Sequence, residues 1–278
     1  KTVTPHDTNN LAGGINVTRV LACDLQQPDG TSIFCATQAT QQGNPQLNPW
    51  RSTNYDVSYE WYFSESGMLS VAAFYIDIES FIGNTTVQLA LEDSDGVVRG
   101  YNLETGEFTG LVPTSTQGNV DGGSVKGIEI GYQQGFDFLD CVWQNFGVTA
   151  NYTFSPSESG ETDYYGESTP MLDNSEHQAN VALWYEDEGL QARIAANYRS
   201  KTFVSVRRLG SYELAKFIEP TLYLDASVSY DFNEHLSVSL QGTNLTEETR
   251  DTYLQWEDLI DKRFINERRF TLGAQYRF

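Results

Sequence analysis

The alternation between Leu222 and Phe278 constrains this chain more than any other feature. Leu222, Leu224, Ala226, Val228, Tyr230 and Phe232 fall on one side of a two-residue period, and Tyr223, Asp225, Ser227, Ser229 and Asp231 fall on the other. After Asn233-Glu234-His235 the pattern resumes, with Leu236, Val238 and Leu240 against Ser237, Ser239 and Gln241. The last residues set Phe270, Leu272, Ala274, Tyr276 and Phe278 opposite Arg269, Thr271, Gly273, Gln275 and Arg277. Such a period means strands with one apolar and one polar face. A run of about eleven residues, tilted near 45°, covers roughly 25 Å, the height of the apolar band on a transmembrane barrel. A soluble antiparallel sheet with one wet face has the same period, so alternation alone leaves both folds open.

The spacing of the breaks separates them. Strand candidates lie at 53–63, 68–82, 125–138, 146–154, 178–186, 190–200, 222–232, 236–244 and 268–278, after a loop-like stretch from Lys1 to Arg51. The short breaks are Ser64 to Gly67, Leu139 to Asn145, Asp187 to Gly189 and Asn233 to His235. The long ones are Gly83 to Ser124, Ser155 to His177, Lys201 to Thr221 and Leu245 to Glu267. Short and long alternate strictly. Outer-membrane barrels have short periplasmic turns and long extracellular loops, and a soluble sandwich has no reason to keep that parity. The fold expected is an all-β, antiparallel transmembrane β-barrel, with residues 1–278 as one segment of it.

Composition agrees. Aromatic residues make up 13% of the chain, enough apolar surface to exclude disorder. There is no run of eighteen apolar residues and hence no transmembrane helix, which leaves a barrel open because barrel strands are apolar only at alternate positions. The formal charge of −21 argues against nucleic acid as a partner. The chain opens on Lys1 with no charged-then-apolar leader, so either a signal peptide has been removed or more protein precedes it.

Particular stretches carry a resemblance. Thr271-Leu272-Gly273-Ala274-Gln275-Tyr276-Arg277-Phe278 resembles the C-terminal strand signal read by the barrel-assembly machinery, with Thr271, Gly273, Tyr276 and Phe278 as its marks. Gly242-Thr243-Asn244-Leu245-Thr246, then a polar loop and Arg269-Phe270-Thr271-Leu272-Gly273, resembles the ending of TonB-dependent receptors. Asn44-Pro45-Gln46-Leu47-Asn48-Pro49, Asn54-Tyr55-Asp56-Val57-Ser58-Tyr59-Glu60-Trp61-Tyr62-Phe63 and Gly127-Ile128-Glu129-Ile130-Gly131-Tyr132 are similar to that family as well.

The resemblance implies a cell outer-membrane location and a twenty-two-stranded barrel of which this chain is the C-terminal part, without the plug domain. The odd count of nine strand candidates agrees, since an open sheet in lipid leaves edge groups unpaired. The function implied is active uptake of a scarce nutrient, not enzymatic catalysis. The TonB energy-transducing complex would act through the missing N-terminal region, with outer-membrane lipid and lipopolysaccharide around the barrel. No cofactor is implied. A passive porin and an outer-membrane barrel hydrolase remain as alternatives.

Chemistry-bearing residues are sparse. Cys23 and Cys35 lie in the first outer loop and suit a disulfide in an oxidising compartment, or two unpaired thiols; Cys141 lies in a periplasmic turn. His6, His177 and His235 stand apart, without metal-ligand spacing. Asp93-Ser94-Asp95-Gly96 opens like a calcium loop but continues with Val97 and Val98, which reads as a turn. For a hydrolase, His177 lies near one strand top with Glu176 and Ser175 beside it, but adjacent strand residues face opposite ways, so the three do not converge as a triad unaided.

The outer loops are the place for specificity. Asp163, Tyr164 and Tyr165 in one loop and Tyr253, Trp256 and Glu257 in the last are the candidate ligand-binding residues. Carboxylates beside aromatic rings suit hydroxyl-rich ligands such as oligosaccharides. They suit an anionic ferric siderophore less well, because an acidic mouth repels anions. Solvation and cation bridging to lipopolysaccharide would explain the acidic residues equally.

Overall fold

The computed structural model describes residues 14–26, 32–42, 44, 47–90, 111–209 and 212–278. The chain forms two compact units, Lys1–Ser52 with Ile78–Gly122, and Thr53–Asp77 with Gly123–Phe278. The first five strands are β1 (Gly14–Gln26), β2 (Ser32–Gln42), β3 (Arg51–Tyr62), β4 (Met68–Ala90) and β5 (Leu111–Gly135).

In the first unit β1 and β2 make an antiparallel hairpin running from Gly14↔Gln42 to Gln26↔Ser32. This corrects the reading of Lys1 to Arg51 as loop. The stretch is polar, but Ile15, Val17, Thr18, Val20, Ile33, Thr37 and Thr40 are β-branched, and β-branched residues favour extended backbone whatever their polarity. Ala39 and Thr40 of β2 pair in parallel with Thr114 and Ser115 of β5, and Ala36, Ala39 and Val112 form a small core. The break expected from Gly83 to Ser124 is likewise shortened from both sides, because β4 and β5 continue to Ala90 and from Leu111. Their approach is close enough that a Cβ on Gly122 would sit 1.7 Å from the Ile78 carbonyl oxygen, so only glycine fits there. The Asp93-Ser94-Asp95-Gly96 turn lies outside the described residues.

The remaining elements are β6 (Phe146–Phe154), β7 (Ser157–Ser159), β8 (His177–Asp187), β9 (Leu190–Arg199), β10 (Thr202–Leu209), β11 (Tyr212–Ile218), β12 (Thr221–Asp231), β13 (Leu236–Thr243), β14 (Arg250–Leu254), β15 (Trp256–Phe264) and β16 (Arg269–Tyr276), with a 3-10 turn at Cys141–Asn145. In the second unit the sheet runs β3-β4-β5-β6-β8-β9-β12-β13-β16. These are the nine strands expected from the alternation, and from β6 onward their ends agree within one or two residues.

The register explains why one face is apolar throughout. Tyr132, Ala150, Val181, Ala196 and Leu224 lie opposite one another across five strands. One residue away, Gln133, Thr149, Ala182, Ala195 and Asp225 form the matching row on the other face. A slip by one residue would exchange the two rows completely.

The apolar face is open rather than packed: Val181 is 48% exposed, Phe270 63% and Leu272 76%. Water would penalise such a surface, whereas lipid solvates it without cost. Aromatic pairs mark the short-turn end, Phe146 with Tyr185 at 4.8 Å, Tyr230 with Phe232 at 4.9 Å and Tyr276 with Phe278 at 5.3 Å. Rings at that depth fit the membrane-water boundary, where an apolar body and a polar tip are both satisfied. At the opposite end Tyr152 hydroxyl meets His177 Nδ1 at 2.8 Å.

Two expected loops are in fact hairpins. β10 and β11 occupy Lys201 to Thr221, β14 and β15 occupy Leu245 to Glu267, and the four join as a separate sheet in the order β10-β11-β14-β15. Their charged residues suggested loops, but the pairing buries Phe203, Leu214, Ala215, Ile218, Tyr253 and Leu254, and those burials stabilise a sheet standing beyond the membrane band. Asn244, at φ 52°, closes the base of the last hairpin. Its side chain donates to the carbonyls of Glu248 and Asn266 and accepts the Glu248 N–H at 2.8 Å, which accounts physically for an Asn in Gly242-Thr243-Asn244-Leu245-Thr246.

Candidate functional site

The outer site is built from a tight turn and the ends of two hairpins. Asp163 Oδ1 accepts the N–H groups of Tyr165 at 2.9 Å and Glu167 at 3.0 Å. Gly166, at φ 76°, supplies the left-handed residue that closes the turn, and its N–H donates to the Asp163 carbonyl at 3.0 Å. Tyr164 and Tyr165 therefore project from a rigid tip. Burial works upward on the Asp163 carboxyl, but hydrogen bonds from the Gln255 amide and from the Glu167 and Tyr165 backbone outweigh it and hold the group below its ordinary value.

Tyr164 is the hub of a ring cluster. Its centroid lies 5.3 Å from Tyr165, 5.6 Å from Tyr212 and 5.3 Å from Trp256. Trp256 Nε1 donates to the Tyr165 hydroxyl at 3.1 Å. These edge-on and tilted arrangements are the favoured ones for aromatic quadrupoles. All four rings remain exposed, from 39% for Trp256 to 63% for Tyr165. The result is an aromatic platform fixed from below and open above, with Asp163 at its edge.

Of the residues expected from sequence, Asp163, Tyr164, Tyr165 and Trp256 are thus brought together. Tyr253 is not among them. It is 3% exposed in the four-stranded sheet and stacks on Phe217 at 5.5 Å, its phenol pushed up to about 12 by burial and by Glu257 and Glu219. Its neighbours Asp251, Thr252 and Leu254 are buried as well, so it is pairing with Phe217 of β11, and not alternation, that places Tyr253 inside. Glu257 lines a separate cavity with Lys201, His177 and Glu176.

Two members of the cluster were not foreseen. Tyr212 stands beside Glu213, the same Tyr-with-acid signature as Asp163-Tyr164-Tyr165, and could have been found by it. Gln255 carries no sequence signal; its role comes from φ 54° and from contacts 40 and 92 residues away.

The other expected residues are also placed. Thr271, Gly273 and Tyr276 lie on β16, paired with Gln241, Ser239 and Leu236 of β13, and Phe278 follows just beyond, fully exposed. The side chains of Cys23 and Cys35 lie outside the described residues; Cys141 is exposed and free. Ser175 is fully buried with its hydroxyl on Thr202, while His177 turns to Tyr152, so the two do not meet as a nucleophile and base.

With this geometry in place, comparison with known proteins is direct. A family model described as TonB dependent receptor-like, beta-barrel matches residues 9–245. No curated protein matches the sequence. The siderophore receptor PirA of Acinetobacter baumannii is similar over 89% of this chain and 34% of its own, at 16% identity and a TM-score of 0.58. A mutant of the ferric enterobactin receptor PfeA of Pseudomonas aeruginosa is similar over 88% and 33%, at 15% identity and 0.56. The ferric-catecholate import receptor Fiu of E. coli K12 is similar over 84% and 29%, at 18% identity and 0.54. The chain spans about a third of the length of these receptors, and at such identities the likeness is one of fold. The register, the open apolar face and the family match converge: this chain belongs to the TonB-dependent receptor family, as part of its outer-membrane β-barrel.

Proposed function

We propose that the chain forms part of the wall and outer mouth of a receptor that captures a scarce nutrient at the cell surface. The TonB complex would supply the energy that carries the nutrient across the outer membrane. Family membership supports the transport reading. The ligand suggested by the site is a neutral, hydroxyl-rich molecule such as an oligosaccharide. The observation that carries this is the Tyr164 hub, because exposed rings of mixed tilt stack on the apolar faces of sugars while Asp163 accepts hydroxyl hydrogens.

A second reading, an anionic ferric siderophore, is favoured by the names of the solved receptors, which import or bind such chelates. Equilibrium binding of the whole receptor to a panel of neutral oligosaccharides and ferric chelates separates the two. On the first reading, Tyr164→Ala with Trp256→Ala lowers oligosaccharide affinity about tenfold. Tight chelate binding with no sugar binding rejects it. In that case Asp163→Asn speeds chelate capture at low salt, because it removes a repelling charge.

A further inference from the structure

We infer a second subsite for a neutral oligosaccharide on the lumen-facing wall of the barrel, made by the Trp184 indole and an amide row of Asn151, Asn180 and Asn197. It rests on the oligosaccharide reading of the outer mouth and names where on the wall the same sugar is held next. The wall in question is the face opposite Val181 and Leu183, which carry the lipid side of β8. The register aligns the three asparagines: Asn151 of β6 lies opposite Asn180 of β8, and Asn180 opposite Asn197 of β9. All three are exposed, and among the described residues no hydrogen-bond partner meets their amides. Asn is a poor strand former, so three in one row do nothing for the sheet that Thr or Val would not do better. Neighbouring strands stand about 4.8 Å apart. The row therefore sets amide donors and acceptors at close, regular intervals, a pattern that meets the hydroxyls of adjoining sugar rings.

The second part is a flat ring. Gly135, Gly147, Trp184 and Arg193 share one row nearer the short-turn end. A Cβ on Gly147 would fall within the Trp184 indole, with Cζ2, Cε2 and Cη2 all closest to it. The indole therefore lies flat over Gly147 and turns its other face to the lumen. Glycine inside a strand weakens it and marks just such a close approach. Trp184 is half-buried, and its Nε1–H has no acceptor among the described residues. An open indole face with a free N–H suits a sugar ring, whose C–H face stacks on it while a hydroxyl accepts from the nitrogen. Between ring and amides run Thr149, Ala182 and Ala195, whose short side chains leave a recess. Along β8 the span from Asn180 to Trp184 is about 13 Å, room for a short oligosaccharide rather than a single ring. Arg193 beside Trp184 and Asp225 opposite Ala195 bring one charge of each sign to the edge, so a neutral polyol meets no net repulsion.

The test uses the whole receptor carrying Cys141→Ser and Ala195→Cys, which places a thiol on the floor of the recess. A small methanethiosulfonate reagent should label it, as read by mass spectrometry of that peptide. Maltohexaose or cellohexaose at about ten times the dissociation constant should slow the labelling about tenfold, because only about a tenth of the sites stay free. Protection should persist when Tyr164→Ala and Trp256→Ala are added, vanish with Trp184→Ala and return with Trp184→Phe, which keeps a flat ring. Heat-modifiable electrophoretic migration reports folding of each variant, and protection of the parent needs none of them. Sugar binding without protection of the thiol, or protection that survives Trp184→Ala, overturns the wall subsite and leaves the mouth reading standing. A thiol that is unreactive with and without sugar, as under a covering plug domain, overturns it as well. Binding of a ferric catecholate with no binding of either hexasaccharide overturns the mouth reading, and this inference with it.

Discussion

Gln255 Nε2 donates to Asp163 Oδ2 at 2.8 Å across 92 residues of sequence. The other end of the same amide, Oε1, accepts the Ala215 N–H at 3.1 Å and the Tyr164 N–H at 3.4 Å. One side chain therefore joins all three outer segments that supply the ring cluster. Tyr164, Tyr212 and Trp256 come from those same segments, and their mutual distances are set by this tie rather than by any local sequence preference. An aromatic platform ordered before ligand arrives does not have to be ordered by it.

Gln255→Ala should loosen this arrangement without removing a ring. Amide exchange should accelerate in the Asp163 turn and at the start of β11, and stay unchanged in β8 and β9. Ligand affinity should fall about three- to tenfold through lost pre-organisation. Unaltered exchange in the turn would show that the tie contributes nothing to order.

Acid should open the outer sheet before it disturbs the barrel. Asp251 is buried; it shares the Arg263 Nε–H between its two oxygens, at 3.0 and 2.9 Å, and accepts Nη2–H at 2.5 Å, which hold its carboxyl below the ordinary value of 3.8. Asp261 is held down in the same direction by Lys216 at 2.7 Å, with Arg207 at 2.9 Å adding to it. A depressed carboxylate contributes stability that is complete above its unfolded value and is lost as pH falls through the folded one. Exchange of β14 and β15 amides should therefore rise, relative to intrinsic rates, as pH drops below about 4. Asp251→Asn should raise exchange at neutral pH and flatten the acid dependence; an identical pH profile in the variant would refute the assignment.

Orientation is testable on intact cells. Cysteines introduced at Asp163 or Glu257 should react with a membrane-impermeant maleimide, whereas one at Glu234, in the short turn between β12 and β13, should react only after the outer membrane is breached. Labelling of the Glu234 position from outside would invert the barrel.

Assembly should depend on the final ring pair. Tyr276 and Phe278 lie 5.3 Å apart on the lipid-facing side, 59% and fully exposed. Changing both to Ser removes the boundary anchors of the last strand. The outer-membrane level of the receptor should then fall sharply, with degradation in the periplasm, while Gln275→Ser, on the opposite face, should leave it unchanged. Normal heat-modifiable barrel from the double variant would make the ending incidental.

The amino-acid sequence by itself determined the nine-strand sheet. A strict two-residue period, repeated at Leu222 to Phe232 and Leu236 to Leu240, can be satisfied only by strands with one face in lipid or core, and the alternation of break lengths supplied the topology. It also identified Asp163, Tyr164, Tyr165 and Trp256 as chemically apt. Three things required the tertiary structure. The hairpins β1–β2, β10–β11 and β14–β15 hide in polar sequence, because backbone ladders form wherever pairing partners exist and leave little compositional trace. Tyr253 and Trp256 look equivalent in sequence, yet pairing with Phe217 buries the first and leaves the second exposed. Gln255 gains its role only from partners 40 to 92 residues distant. Local sequence fixes which way a side chain points along its own strand; what stands opposite it is decided by loop closure between segments the chain brings together only when folded.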